Sequence, residues 1–89
     1  MRRAYWRLRY NPEVVAKLYQ MRERGFAVHA AIRELMYQRE PWTGSVVIGE
    51  HLGWYEFEIH GCFVGYVVST DAEDLEPTLK LLYVHEILI

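Results

Sequence analysis

Fifteen residues, Trp54–Val68 (WYEFEIHGCFVGYVV), set the terms for the rest of this chain. Tyr55–Ile59 alternates apolar and acidic residues with period 2. Tyr55, Phe57 and Ile59 therefore share one face of a strand, and Glu56 and Glu58 the other. His60-Gly61 is a tight turn. The strand that follows from Cys62 is apolar on both faces, as a strand in the middle of a sheet is.

A chain of 89 residues with 52% hydrophobic and 25% charged residues predicts a single globular domain, 1–89. Such a chain buries only about two-thirds of its unfolded surface, so its core must be compact. The lone cysteine, Cys62, excludes an intrachain disulfide and lies in an apolar strand, which makes it a small buried hydrophobe. MRRAYWRLRY has charge but no apolar core of a signal peptide, and no run approaches the length of a membrane span. These features predict a cytoplasmic protein with no membrane contact. Charge is divided along the chain. Residues 1–44 carry nine Lys/Arg and four Asp/Glu, whereas residues 45–89 carry one Lys and eight Asp/Glu.

Ala4–Tyr10 alternates, with Ala4, Trp6, Leu8 and Tyr10 on one side and Tyr5, Arg7 and Arg9 on the other, and predicts a half-buried strand. Asn11-Pro12-Glu13 then starts a helix: Asn caps it, Pro suits the first turn, and Glu favours the positive end of the helix dipole. Val14, Val15, Leu18 and Tyr19 form its stripe, and Gly25 is expected to end it after Arg24. A second helix is expected over Ala27–Arg39, with Val28, Ala31, Ile32, Leu35 and Met36 at helical spacing and Glu40-Pro41 as its stop. Val46-Val47-Ile48 reads as a strand fragment or a packed loop. A polar stretch, Ser69–Thr78, leads into a last strand, Leu79–Ile87, which alternates throughout. The order β-α-α-β-β-β predicts a two-layer α+β domain. A helical hairpin packs on a mainly antiparallel four-stranded sheet, with the first strand parallel to the last.

An alternating strand running into Tyr10-Asn11-Pro12 and a helix is followed centrally by Gly53-Trp54-Tyr55-x-Phe57-x-Ile59, a tight turn, and an apolar strand ending in Tyr66. In this order, and over nearly the whole chain, the sequence resembles the RelE/ParE superfamily of bacterial toxin-antitoxin systems. The resemblance implies a cognate antitoxin as partner. It also implies that mRNA-cleaving members hold RNA with Lys and Arg on the solvent face of this hairpin and near the end of the last strand. At the matching places this chain has Glu56, Glu58, Phe63 and His85-Glu86. RNA binding depends on cations that displace counterions, so nucleic acid is not expected on this face. The resemblance carries over the fold but not the ribonuclease residues. The implied function is a toxin-family protein acting by protein binding, the alternative being a non-toxic interaction module of the same fold.

Two other constellations stand out. Glu56, Glu58, His60 and His85 could converge as an acid–base or metal-binding set. His60 is expected to continue the Glu face, and only one of His85 and Glu86 can join it. The spacing is not that of a known metal site, and the plainer reading is a solvated polar sheet face. No metal and no cofactor is implied. Arg7 and Arg9 with Trp6 form a basic, aromatic-interleaved candidate binding set. Its plainer reading is a wet strand face whose arginines pair with acids on the neighbouring strand. Asp71, Glu73, Asp74 and Glu76 lack the register of a calcium loop. A Tyr-rich sheet edge and apolar Leu88-Ile89 point to a homo-oligomer or a covering partner.

Overall fold

The computed structural model describes residues 2–49, 53–70 and 76–88. The elements are β1 (Arg7–Tyr10), α1 (Pro12–Gln20), α2 (Glu23–Leu35), β2 (Val46–Val47), β3 (Trp54–Ile59), β4 (Cys62–Ser69) and β5 (Thr78–Glu86). They form two layers, the helical hairpin over a mixed sheet of order β1-β5-β4-β3-β2. The sheet has five strands rather than the expected four, because Val46 and Val47 pair with Glu56 and Tyr55 as a short edge. β1 runs parallel to β5, and β4 is the central strand.

β1 is shorter than its alternation suggests. The amides of Tyr5 and Trp6 both donate to the Met36 carbonyl, so the chain first crosses the end of α2 and only then joins β5. Trp6 belongs to this crossing. Its Nε1 donates to the Gln38 carbonyl at 2.9 Å, and its ring meets Trp42 edge-on at 6.0 Å.

The helices break earlier than expected. α1 ends at Gln20, and the turn is made at Arg22, which adopts φ 56°. Gly25 is not the cap but a buried residue inside α2. A Cβ there would lie 1.9 Å from the Leu18 carbonyl oxygen, so glycine is what lets the two helices touch. Of the α1 stripe, Val14 and Leu18 are buried, whereas Val15 and Tyr19 are exposed.

The core lies between the layers. Val14 and Leu18 of α1 and Val28, Ile32 and Leu35 of α2 meet Cys62, Val64 and Tyr66 of β4 and Leu79, Leu81 and Val84 of β5. The Tyr66 ring is fully buried, and burial raises its pKa. Its hydroxyl donates to the Pro41 carbonyl at 3.1 Å and takes a hydrogen bond from Ser45 at 2.8 Å, which anchors the loop before β2. A buried hydroxyl left without such partners would be costly.

Candidate functional site

The face of the sheet turned away from the helices gathers most of the residues singled out above. Alternation in β3 sends Tyr55, Phe57 and Ile59 toward the core and leaves Glu56 and Glu58 on the open face. Across the tight turn, Glu58 is in register with Phe63 and Glu56 with Gly65. The turn itself has φ 49° at His60 and 73° at Gly61, two consecutive left-handed residues as a two-residue hairpin requires. His60, expected to continue the Glu face, lies in the turn, outside β3.

β5 departs from the simple alternation read in the sequence. Gly65 pairs with Tyr83 but Tyr66 pairs with Leu81, so Leu82 is an extra residue, a β-bulge. Before the bulge Leu79 and Leu81 face the core. Beyond it Val84 does, and Tyr83 and His85 turn to the open face. Glu86 falls on the helix side, where Lys17 (2.7 Å) and Arg24 (2.9 Å) pair with its carboxylate. The hydrogen bond and charge of Lys17, with Arg24 beside it, hold the Glu86 pKa below the usual carboxylate range.

Three rows of side chains therefore cross the open face. In the first, Glu56, Gly65 and Tyr83 are in register. Because Gly65 has no side chain, the Tyr83 ring lies over it and the hydroxyl donates to the Glu56 carboxylate. Burial, and then the Glu56 carboxylate, push the Tyr83 phenol up to about 12. In the second row Phe63 stands between Glu58 and His85. Two strand spacings separate those two, about 10 Å, so Glu58 and His85 do not meet. His85 instead stacks on Tyr83, ring centres 4.4 Å apart. In the third row Trp54, Val67, Lys80 and Arg9 follow one another.

The expected cluster is thus only partly assembled. Glu56 and His85 both contact Tyr83, Glu58 is set apart by Phe63, and His60 sits on the turn. Tyr83 joins them although simple alternation puts it on the core side. The one sequence signal for it is Gly65, since a glycine inside a strand marks a bulge or a close approach. Chemically, the row offers a carboxylate bonded to a neutral phenol, next to an exposed imidazole. Among the described residues no group of three His, Cys, Asp or Glu side chains could hold a metal ion.

The basic candidates are split. Arg7 and Arg9 are exposed on β1, in register with Thr78 and Lys80, while Trp6 faces the other layer. Asp71, Glu73 and Asp74 lie outside the described residues, as do Ile89 and the segment 50–52. Among the described residues no helix is long and apolar enough to cross a membrane.

No family model matches the chain. No curated protein matches it. Among solved structures, a chain of the toxin-antitoxin complex RelBE2 from Mycobacterium tuberculosis shares its fold. The TM-score is 0.62 at 18% identity, and the match covers 94% of this chain and 99% of that chain. With its helical hairpin on an antiparallel meander closed by a parallel first strand, this protein has the fold of that chain of the RelBE2 complex.

Proposed function

We propose that this chain is the toxin component of a toxin-antitoxin pair, held by a cognate antitoxin in the cytoplasm, and that it acts by binding a protein rather than by cutting RNA. The fold supports the first half of the reading, since the structural relative is itself named as a toxin-antitoxin complex. The second half is carried by the hairpin end of the open face. There the residues are Glu56, Glu58, Phe63, Tyr83 and His85, a carboxylate–aromatic surface. Carboxylates repel a phosphate backbone and release none of its condensed counterions. The described cations of this face, Arg7, Arg9 and Lys80, stand at the other end, near β1.

One observation favours a second reading. Glu56, Tyr83 and His85 are in contiguous contact, as an acid–base relay would be. A single experiment separates the two. The chain is expressed alone and with its neighbouring open reading frame, and growth, the partner retained on purification, and messenger RNA integrity are followed. Growth arrest with intact RNA, relieved by a retained partner, is the expected outcome. RNA cleavage by the purified chain that is lost in His85→Ala would establish the acid–base reading instead. Normal growth with no retained partner would leave only a non-toxic module of this fold.

A further inference from the structure

The open sheet face carries opposite charge at two of its corners. At the hairpin corner stand Glu56 and the exposed Glu58. No Lys or Arg occurs between Ser45 and Ser69, the stretch that supplies β2, β3 and β4. Arg24, whose guanidinium reaches toward Gly61, is held on the helix side by Glu86 at 2.9 Å. At the opposite corner stand Arg7, Arg9 and Lys80, on β1 and β5. Arg3 and Arg39 lie over the ring of Tyr5, just before β1, and add to that charge. The described acids next to this corner in sequence are Glu40 and Glu76, so among the described residues the corner stays positive.

Between the corners the face is apolar. Trp54, Val67 and the Tyr83 ring lie there, and Val46 (62% exposed) and Phe63 (36%) flank the carboxylates. The register fixes how the corners are related. From β3 to β1 is three strand spacings, about 14 Å across the sheet. From the row of Glu58 to the row of Trp54 and Arg9 is four residues, about 14 Å along the strands. The line joining the corners therefore crosses the strands at about 45°. A twofold axis lying in the face, perpendicular to that line, lays the acidic corner of each copy on the basic corner of the other. Trp54, Val67 and Tyr83 then fall close to the axis and meet their own counterparts. The strands of the two copies cross at about 90°, one of the two usual ways in which sheets pack.

We propose that the open sheet face is the contact surface of a symmetric homodimer, with Glu58 of each copy set against Arg7 and Arg9 of the other. A patch with opposite charges at its two ends and an apolar middle is self-complementary, which a twofold interface requires. A partner of one charge would meet repulsion at one corner. The apolar stems of the arginines cover Val46 and Phe63 beside the carboxylates. Arg9 and Lys80 also interact within their own domain, so Arg7 is the cation to change. The dimer does not depend on the functional reading above, but it covers the face on which that reading seats a target protein. The monomer is then the form that engages the target.

The test is sedimentation velocity of the full chain over a concentration series, with Glu58→Arg and Arg7→Glu as variants. Both positions are exposed, so both variants should melt like the parent. The parent should pass from monomer to dimer as concentration rises, and added salt should weaken the dimer. Each variant should weaken it about tenfold, because symmetry repeats every reversed pair and turns attraction into repulsion. Mixing the two variants in equal amounts should restore dimers. In the mixed dimer one contact is the original pair and the other is that pair with its charges exchanged. The double variant Arg7→Glu/Glu58→Arg should dimerise alone for the same reason. A parent that stays monomeric at its highest soluble concentration, a dimer untouched by either reversal, a mixture no more associated than its components, or open-ended assemblies would each overturn the proposal. A monomeric parent that still retains its neighbouring partner and arrests growth would sink the dimer and leave the functional reading intact. A dimer with this charge behaviour, without growth arrest or a retained partner, would do the reverse.

Discussion

Substituting Gly65 by alanine tests the open-face arrangement at its tightest point. An alanine methyl carbon there would sit 2.2, 2.3 and 2.8 Å from three atoms of the Tyr83 ring. Carbon atoms pack at roughly 3.5–4.0 Å, so the ring must retreat by more than about 1 Å. It cannot do so freely, because its hydroxyl is bonded to Glu56 and its face is stacked on His85. Overpacking of this kind costs about 1–3 kcal/mol. Alanine in a strand recovers about 0.5–1 kcal/mol over glycine. The expected net loss is about 1–2 kcal/mol. In a Tyr83→Ala background the obstacle is gone, and Gly65→Ala should become neutral or stabilise by up to about 0.5–1 kcal/mol. Urea unfolding of the four chains of this cycle measures the coupling, which should be about 2 kcal/mol. An equal effect of Gly65→Ala in both backgrounds would show that Tyr83 does not lie over the glycine.

Two further outcomes follow from the packing. The Tyr83 phenol titrates at about 12 in the fold and near 10 when unfolded. A raised folded value means that its contribution is complete below about pH 10 and is lost as the pH climbs toward 12. Tyr10 and Tyr66 shift in the same direction, so the measured quantity is the difference in slope between parent and Tyr83→Phe, which a phenol at its ordinary value would erase. At the helix contact, Gly25→Ala places a carbon 1.9 Å from a backbone oxygen that no rotamer can move. It should cost about 3 kcal/mol, the upper end of overpacking, and lower the melting temperature by roughly 12–24 °C on the usual scaling for small domains. A fall of only a few degrees would mean that the helices can part cheaply.

Much of the fold is written in local patterns. The β3–β4 hairpin follows from the Glu/apolar alternation and the His60-Gly61 turn, and the start of α1 follows from Asn11-Pro12-Glu13. These are short-range signals, set by residues within a few positions of one another. The features that escape are set by partners distant in sequence. Gly25 has the residue type and position of a helix cap, but its reason for being glycine is Leu18 on the other helix. Val15 and Tyr19 belong to the apolar stripe of α1 by spacing, yet the stripe is wider than the sheet can cover. The bulge at Leu82 reverses the inward and outward sense of everything after it in β5, and nothing inside β5 announces it. For that reason the candidate site was only half legible. Glu56 and Glu58 came from β3 alone, but the company they keep depends on Gly65 and on a shift in register one strand away.

The place of β5 in the sheet has a consequence for how the chain reaches its native state. β5 is the last strand in sequence, yet it lies between β1 and β4. Arg7 pairs with Thr78 across nearly the whole chain. The segment β1-α1-α2 therefore has no sheet to rest on until β5 arrives, and the hairpin β3–β4 has one unsatisfied edge until the same moment. Such long-range closure slows the search and makes the final step shared by both halves. Residues 1–44 carry most of the chain's positive charge, and residues 45–89, which include β5, most of its negative charge. Attraction between the two before β5 docks would draw them together, so raising the salt concentration should slow refolding more than it lowers final stability.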